Sequence, residues 1–473
     1  MSNEGGAGAG RRFPKAPLLV MAAVGFVDAM DVAVARAVLP ILQDEWLLSD
    51  LQLGLLSSAF IFVSVMATVP AGYIADRVRR TRLIGWTLVS WSFLIVLSAT
   101  AVNYLNLLFA RSVMGIGQAV DDPASTSYLG DSYPARMRGR VFAVQQVTLF
   151  LGLGAGLAAG GAIAQSLGWR WAFVIVGCPG LLVAFAVFRL REPRRGEGDL
   201  PETMTWAEIE ALPEKPPNPL TGTEGLSFRQ FVRLSLTELS ASLRMIFGIR
   251  TMRFVLAGVG AMLFTLSGVA TWLAIYHERY SDMSLGRATA VTGAMLGVGG
   301  IIGTLGGGAF SDRFHHRIRG GRIVIVVGAG VTFAVVFLAS LAVGSIGLRL
   351  LLQLLGVVAV AAAVPGLRAA MLDVVPAESR GVGASAMALT TAVFGNAAAP
   401  LIVGALSTLT GSLVTAFCIV YPPTIVGLLL LLRARHTLEA DANAIIEAVM
   451  EEQRLLEAER LSIHRDGGSP VSD

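Results

Sequence analysis

The stretch "GYIADRVRRTR" at residues 72–82 has a counterpart, "GAFSDRFHHRIR", at residues 308–319. Each copy begins with a glycine, carries Asp-Arg four and five residues later, and continues with basic residues. The matched positions are Gly72, Asp76 and Arg77 in the first copy and Gly308, Asp312 and Arg313 in the second. A repeat of this kind indicates that the chain consists of two similar halves, each with the same polar turn at an equivalent position.

The residues around these turns are mostly apolar. Of the 473 residues, 54% are hydrophobic and 15% are charged, whereas a soluble domain averages about 25% charged residues. The 53 glycines suit helices that pack closely in lipid. The two cysteines, Cys178 and Cys418, lie in separate apolar segments and indicate neither a disulfide framework nor a metal site. The composition therefore predicts an all-α membrane protein.

Apolar stretches long enough to cross a bilayer, which takes roughly 20 residues, occur twelve times. They are residues 16–43, 51–75, 83–102, 104–132, 141–167, 171–190, 252–277, 285–310, 322–344, 347–373, 382–409 and 412–433. The long polar interruption after the sixth stretch separates two equal sets. The expected fold is therefore twelve transmembrane helices in two six-helix lobes.

Basic residues collect at alternate ends of these spans, whereas the opposite turns are acidic, as in "DEWLLSD" (44–50), or neutral, as in "NYLN" (103–106). Cytoplasmic loops carry an excess of lysine and arginine. Both termini are therefore expected in the cytoplasm, and the expected location is the cell (plasma) membrane. The basic residues that decide this orientation are Arg11, Arg12, Lys15, Arg77, Arg79, Arg80, Arg82, Arg136, Arg138, Arg140, Arg189, Arg191, Arg194 and Arg195.

Five segments follow from this assignment. They are a cytoplasmic tail (1–15), an N-lobe (16–190), a cytoplasmic linker (191–251), a C-lobe (252–433) and a second cytoplasmic tail (434–473). The end of the linker predicts a basic amphipathic helix lying along the membrane interface. The last tail predicts an acidic amphipathic helix, which either pairs with the basic one or stays apart from it.

The repeated turn, its spacing and the two sets of six spans resemble the major facilitator superfamily, whose members have two six-helix lobes around a central cavity. The resemblance implies a secondary transporter that works by alternating access and is not an enzyme. The sequence itself shows no catalytic constellation and no phosphate-binding loop, and its histidines have no cysteine or carboxylate partners at ligand spacing. We therefore expect no cofactor and no bound metal.

Three stretches resemble the Spinster-like branch of that superfamily: "DVAVARAVLP" (31–40), "RSVMGIGQAVDDPASTSYLGDSYPARMRGRVFAV" (111–144) and "FGNAAAPLIVGALS" (394–407). The resemblance aligns Asp31 with an aspartate of the branch and implies an amphipathic lipid, such as a lysophospholipid, as the substrate. The chain departs from the pattern at three positions, where Val32 replaces an arginine, Gln118 a glutamate and Asn396 an aspartate.

Two carboxylates, Asp28 and Asp31, lie near the middle of the first span, and Arg111 and Gln118 lie in the fourth. An ionised side chain inside a bilayer normally faces a cavity or a partner. One hypothesis pairs Asp31 with Arg111 and lets Asp31 exchange that partner for a proton or for the substrate head group. The alternative is a permanent pair that fixes helix packing.

Helical spacing puts Arg111, Gly115, Gln118, Asp122 and Ser125 on one side of the fourth span, with Asp121 about a quarter-turn away. Asp122 is the expected replacement for the missing acid at Gln118. Asp28 either lines the same cavity or packs against a neighbouring span. The predicted proton-coupling residues are Asp31, Arg111, Asp28 and Asp122.

Two other charged residues have different predicted roles. Arg36 lies on the side of the first span opposite Asp31, which predicts that it reaches the membrane interface or acts in gating. Asp131 lies at the cytoplasmic end of the fourth span and is expected in a structural network with Arg77 and Arg140.

The second lobe offers mostly uncharged polar side chains. A cavity that is charged on one wall and apolar on the other suits a substrate with a polar head and an apolar tail. The predicted substrate-binding residues are Asp31, Arg111, Gln118, Trp272, Tyr276, Thr390 and Asn396.

Two rival functions remain open from the sequence. One is a proton-coupled exporter of hydrophobic drug-like compounds, because "GLGAGLAAGG" (152–161) is similar to a glycine-rich pattern of drug antiporters, with Leu157 where those carry proline. The same run is alternatively a seam of small residues for helix packing. The other rival is a non-transporting membrane receptor or scaffold. The expected partners are an amphipathic lipid, protons and membrane lipids, without nucleic acid, and the expected state is a monomer.

Overall fold

The chain folds into long helices. The computed structural model describes residues 13–75, 78–201, 204, 208–209, 227–248, 250–315, 321–373 and 389–433. Within these ranges the regular elements are α-helices with a few turns of 3₁₀- and π-helix, and none of these residues forms a strand. The all-α prediction is confirmed.

The described residues of the first half form seven α-helices. They are α1 (Ala16–Ala37), α2 (Leu39–Trp46), α3 (Asp50–Ala75), α4 (Arg80–Ala99), α5 (Tyr104–Ser132), α6 (Ala135–Leu167) and α7 (Trp169–Phe188). Helices α1 and α2 together form one apolar span, Ala16–Trp46, interrupted at Val38. Pro40 lies in the first turn of α2, where its missing amide hydrogen has no helical partner to lose. The first span is therefore longer than the predicted 16–43.

The second half begins with α8 (Phe228–Gly248), the amphipathic segment of the linker, and α9 (Arg250–Tyr280). Then follow α10 (Leu285–Ala294), α11 (Gly300–His315), α12 (Gly321–Ala342), α13 (Ile346–Asp373), α14 (Ala398–Thr410) and α15 (Leu413–Arg433). A π-helical turn, Met295–Gly299, joins α10 to α11, and another, Ala392–Ala397, precedes α14. Such turns widen a helix locally and often occur at functional sites.

Eleven helices of the described residues are long and apolar enough to cross a membrane. The remaining predicted span, 104–132, is α5, a helix of 29 residues that carries Arg111, Asp121 and Asp122 in its interior. At 1.5 Å per residue, α5 is also long enough to span a bilayer. The structure is therefore consistent with twelve spans, and that number stays a prediction.

The glycine run 152–161 lies in α6 and packs on two sides. Gly152 and Gly156 lie against the backbone of α1 at Phe26 and Met30. Gly154 lies against Gly293 of α10, so the same run also joins the two halves of the chain. The absence of side chains lets three backbones approach closely, which supports the packing interpretation of "GLGAGLAAGG".

The halves also meet where α3 contacts α14. The Ser58 hydroxyl donates a hydrogen bond to the carbonyl oxygen of Ala397 at 2.7 Å, and the Leu51 amide donates one to the Thr408 hydroxyl at 2.9 Å. Both bonds lie in the half of α3 that begins at the 47–49 turn. We call the side of the molecule that carries this turn the outer face, because the charge pattern predicts it to be extracytoplasmic.

Parts of the repeated turn lie outside the described residues. Helix α3 ends at Ala75, so Asp76 and Arg77 fall beyond it, and the side-chain surroundings of position 72 are not described. In the second copy, Gly308 and the backbone of Asp312 and Arg313 belong to α11, whereas the side chains of the latter two are not described. The tail 434–473 is likewise outside the described residues.

Candidate functional site

An ion pair lies inside the first half. Arg111 of α5 donates from Nη1 to both carboxylate oxygens of Asp31 in α1, at 2.9 and 3.0 Å. Asp31 is 4% exposed and Arg111 is 5% exposed. The guanidinium also lies 5.7 Å from the ring centre of Phe173 in α7. The predicted partnership of Asp31 and Arg111 is therefore present in the structure, as a buried pair shared by three helices.

A cavity of about 730 Å³ lies between α1, α5 and α6. Its lining includes Asp28 from α1, Asp121 and Asp122 from α5, and Gln145 and Gln146 from α6. The charges of Asp121 and Asp122 act on Asp28, so the three carboxylates belong to one electrostatic group. Carboxylates that share a site repel one another when all are ionised, and such a cavity can therefore take up protons or a cation.

Gln118 lies between the ion pair and the cavity. Its Nε2 donates to Asp28 Oδ2 at 3.4 Å, and its Oε1 is buried without a hydrogen-bond partner among the described residues. An amide that lacks a donor for its oxygen costs free energy in an apolar interior. Gln118 is thus brought together with Asp28, as part of the same polar wall.

Asp121 is a site residue that helical spacing missed. It is 4% exposed, lines the cavity and accepts a hydrogen bond from the Ser125 hydroxyl at 3.3 Å. A helical wheel put Asp121 a quarter-turn from Asp122, but the cavity is broad enough to be lined by both. The signal that was available is the Asp-Asp pair itself, since adjacent carboxylates in a membrane span rarely both face lipid.

Arg36 lies near the end of α1. It is half-buried and, with Arg111, lines a small internal void of about 50 Å³ between α1, α3, α5 and α7. Arg36 therefore shares a void with Arg111 in the last turn of α1, and its role at the interface or in gating stays a prediction. Helices α3 and α7 cover this side of α1, and the long side chain stays inside the N-terminal half.

The predicted residues of the second half do not join this site. Trp272 is fully buried and donates to the carbonyl oxygen of Pro400 at 3.2 Å, and Tyr276 is 1% exposed and stacks on Tyr280. Thr390 lies in an apolar groove between α9, α14 and α15. Asn396 lies in the π-helical turn before α14, where its carbonyl oxygen accepts from Ser267 at 2.8 Å. These four are spread over the C-terminal half.

A cluster of four residues closes the outer face. Arg279 of α9 donates to Asp50 of α3 at 2.9 and 2.6 Å and to the side-chain oxygen Oε1 of Gln43 at 2.6 Å. Ser407 of α14 donates to the same aspartate at 2.5 Å. We call Gln43, Asp50, Arg279 and Ser407 the outer clamp. Because the first two belong to one half and the last two to the other, the clamp holds the halves together at this face.

His277 is a second residue that sequence analysis did not single out. It is fully buried, with Nε2 2.7 Å from Gln353 Oε1 and Nδ1 3.1 Å from the Thr292 hydroxyl. In the neutral ring, Nε2 donates to the glutamine and Nδ1 accepts from the threonine. The three residues tie α9, α10 and α13 together. Polar side chains that are buried in apolar spans need hydrogen-bond partners. The presence of a histidine and a glutamine within the predicted spans was therefore the signal that could have identified this cluster.

On the opposite face, Arg80 at the start of α4 binds Asp131 and donates from Nε to Glu192 at 2.8 Å. The Gly196 amide also donates to Asp131, at 3.0 Å. The partner of Asp131 is therefore Arg80 and not the predicted Arg140, while Arg77 is outside the described residues, and the structural role of Asp131 stays a prediction. Burial opposes the charge on Glu192, yet hydrogen bonds from Thr81 and Arg80 outweigh it and lower the pKa of Glu192.

In the described part of the chain, no group of three or more histidine, cysteine, aspartate or glutamate side chains is placed to hold a metal ion. The groups that the structure brings together here are a buried ion pair, a cavity lined by carboxylates and a closed outer face.

Comparison with known proteins gives a family match over most of the chain. The sequence pattern described as "Major Facilitator Superfamily" matches residues 21–395. A probable sphingolipid transporter, spinster homolog 1 of Arabidopsis thaliana, is 25% identical over 287 residues, which are 59% of this chain and 56% of that protein. Spinster homolog 1 of Homo sapiens is 27% identical over 209 residues, 42% of this chain and 39% of that protein. The chain thus spans about half or less of these relatives.

Solved structures agree on the fold. A bacterial homolog of the human lysosomal transporter Spinster, in an inward-facing and unoccupied conformation, gives a TM-score of 0.67 at 20% identity and covers 92% of this chain and 99% of its own. A D-xylose–proton symporter gives a TM-score of 0.64 at 17% identity, with 89% and 97% covered. At these identities the likeness shows the fold alone.

Proposed function

Since the chain belongs to the major facilitator superfamily of transporters and is similar to spinster proteins, we propose that it moves an amphipathic lipid, such as a lysophospholipid, across the membrane by alternating access with protons as the coupling ion. The observation that carries the proposal is the arrangement of the N-terminal half. There, a cavity with three carboxylates lies next to the buried Asp31–Arg111 pair, and the outer clamp closes the opposite end.

Coupling follows from the charges. Protonation of Asp31 would remove the negative partner of Arg111, and a buried guanidinium without a partner is costly. Arg111 would then bind an anionic group of the substrate or move toward another carboxylate. Either event changes which conformation is favoured, because a proton or substrate shifts a two-state equilibrium only through its different affinity for the two states. Asp28 and Asp122, together with Asp121, are the proposed route by which protons reach the pair.

The substrate class is supported by two features. The groove at Thr390 in the second half provides apolar surface, whereas the charged side chains that line the cavity lie in the first half. An amphiphile with a charged head and one acyl chain matches that asymmetry better than a small polar solute. The name of the Arabidopsis thaliana relative, a probable sphingolipid transporter, points to the same class of molecule.

The topology completes the proposal. We propose a monomer in the plasma membrane with twelve spans and both termini in the cytoplasm, lobes at 16–190 and 252–433, and tails at 1–15 and 434–473. In this orientation the carboxylate cavity lies in the cytoplasmic half and the outer clamp faces outward, which corresponds to an inward-facing state. The linker 191–251 then lies at the cytoplasmic surface, with α8 along the membrane.

Reconstitution into liposomes tests this function. Purified protein is incorporated into vesicles with a fluorescent lysophospholipid in one leaflet, and its movement is followed by quenching from outside. The proposal predicts movement faster than in protein-free vesicles, and equal rates would contradict it. The rival function of a drug exporter is tested with a cationic hydrophobic dye in the same vesicles. Movement of the dye without movement of the lipid would favour that function.

A further inference from the structure

Arg36 is an arginine without a protein partner inside the N-terminal half. Among the described residues it makes no hydrogen bond and no ion pair, although it is half-buried. An arginine side chain stays charged at any physiological pH and carries five donors. A charge inside a membrane-spanning segment normally pairs with an opposite charge or marks a binding pathway. None of the described residues supplies that partner, which leaves the Arg36 guanidinium available to an anionic ligand.

The surroundings of Arg36 carry an excess of positive charge. Arg111 lines the same void, and its positive charge acts on Arg36. The carboxylate of Asp31 accepts from Arg111 with both oxygens. Asp31 therefore balances the charge of Arg111 and leaves that of Arg36 without a counter-charge among the described residues, so that a single further negative charge would balance the site.

The void between the two arginines limits the size of that anion. Its volume is about 50 Å³, which is room for roughly three to five water-sized groups. Its walls are otherwise mostly apolar, among them Phe60 and Phe173, with the Ser57 hydroxyl as a further polar group. A phosphate group fits this volume, whereas a sugar or an acyl chain does not. Arginine is also the side chain whose planar donors suit phosphate oxygens.

We propose that Arg36 and Arg111 form an anion subsite that binds a phosphate group, either the head group of the transported amphiphile or a free phosphate ion. Its link to the transported lipid rests on the proposed function, but anion binding itself does not require transport. The subsite lies at the outer end of the first half, beside the Asp31–Arg111 pair. Phosphate bound there gives Arg111 a second anionic partner and so frees Asp31 to take up a proton.

Binding to the purified full-length protein in detergent tests the subsite. Titration calorimetry compares a lysophosphatidic acid, the monoacylglycerol with the same acyl chain but no phosphate, and inorganic phosphate. The parent protein is expected to prefer the phosphate-bearing amphiphile. The Arg36→Gln variant should bind it roughly 10- to 100-fold more weakly, as expected for a lost charge-assisted hydrogen bond, with monoacylglycerol binding unchanged.

The matched control is Arg287→Gln, which removes an exposed arginine at the outer end of the second half and should leave binding unchanged. Arg36→Lys keeps the charge and should retain part of the affinity, and its unfolding temperature shows whether position 36 tolerates substitution. Inorganic phosphate that binds at least as tightly as the amphiphile, and needs Arg36 to do so, would assign the site to the free ion. Much weaker binding of inorganic phosphate than of the amphiphile, with the Arg36→Gln effect intact, would assign it to the lipid head group.

Equal affinities of the parent and Arg36→Gln for the phosphate-bearing amphiphile would overturn the subsite, as would equal affinities of the parent for the amphiphile with and without phosphate. The liposome assay separates this failure from that of the proposed function. Phosphate-dependent binding that needs Arg36 but brings no lipid movement would leave the subsite standing and remove the transport function. Lipid movement by a protein whose amphiphile binding depends neither on the phosphate nor on Arg36 would do the reverse.

Discussion

Arg279, in the last turns of α9, and Asp50, the first residue of α3, form a two-point ion pair with N–O distances of 2.9 and 2.6 Å. The two residues belong to different halves of the chain, and Asp50 is 8% exposed. The pair therefore stabilises the closed outer face relative to any state in which the halves separate there. Because Arg279 is more exposed than Asp50, its contribution is about 1–3 kcal/mol, below that of a fully buried pair.

The first prediction concerns this pair. Arg279→Gln removes the charge and should raise the population of the outward-open state by at least about fivefold, because 1 kcal/mol corresponds to that factor. Ser58 lies behind the clamp and is fully buried. In a background with Cys178→Ser, Cys418→Ser and Ser58→Cys, a membrane-impermeant thiol reagent added from outside should label Arg279→Gln faster than the parent.

Arg170→Gln is the matched control for that experiment. Arg170 also forms an ion pair at the outer face, with Glu45 at 3.2 Å, but both residues belong to the first half. Its removal should leave the labelling rate unchanged. Equal acceleration by the two substitutions, or none by Arg279→Gln, would show that the clamp does not hold the halves together.

The second prediction concerns the contact between α6 and α10. A methyl group at Gly293 would lie 2.5 Å from the carbonyl oxygen of Gly154 in the other half, so Gly293→Ala should push the halves apart. The cost of such overpacking is typically about 1–3 kcal/mol. The same thiol-labelling assay should therefore report opening. Gly306→Ala is the control, because nothing lies within 4 Å of a methyl group there, and a labelling rate that is the same in both variants would refute the expectation.

The third prediction concerns the stability of the Asp31–Arg111 pair. Asp31→Asn leaves the buried guanidinium without a counter-charge and should lower the free energy of unfolding by about 3–5 kcal/mol. The double variant Asp31→Asn/Arg111→Gln removes both charges of the pair and should recover part of that loss. Chemical unfolding of the protein in detergent gives the double-mutant cycle, and strict additivity of the two single effects would argue against the pair.

The fourth prediction concerns pH and Glu192. Its pKa is lower in the folded protein than its ordinary value of 4.5, so its ionised form stabilises the fold at neutral pH. That contribution should persist above about pH 4.5 and disappear as the pH falls through the lowered pKa. Glu192→Gln should therefore destabilise the protein at pH 7, and the difference from the parent should shrink in acid. A difference that does not change between pH 7 and pH 3.5 would contradict this.

The repeated turn and the apolar spans predicted the fold, because a bilayer imposes span length and internal hydrogen bonding on every segment. The Asp31–Arg111 pair was also predictable, since a buried charge demands a partner and the fourth span offered a single arginine in its interior. The fold and the ion pair both follow from the free-energy cost of placing polar groups in lipid. Polar and charged residues within apolar spans can be read directly from a sequence.

Contacts between distant segments were not predictable in the same way. Asp50 and Arg279 lie at the ends of spans, where charged residues occur for many reasons, and their pairing depends on how the halves approach each other. The spacing of residues along α1 predicts on which side of that helix Arg36 lies. It does not predict that α3 and α7 pack against this side and enclose the void beside Arg36. Ideal helical spacing puts Asp121 on a different side of α5 from Asp122. Both nevertheless line the cavity, because its width depends on the distance between α5 and α6, which the sequence of one helix does not give.

One measurement tests the coupled transport of an amphiphile most directly. Liposomes containing equal amounts of folded parent or Asp31→Asn protein are loaded with fluorescent lysophospholipid, and its movement is recorded with and without a pH gradient. We predict that the gradient accelerates movement in the parent and has no effect in Asp31→Asn. Parent protein that moves no lipid under either condition, or an Asp31→Asn variant that responds to the gradient like the parent, would contradict the account.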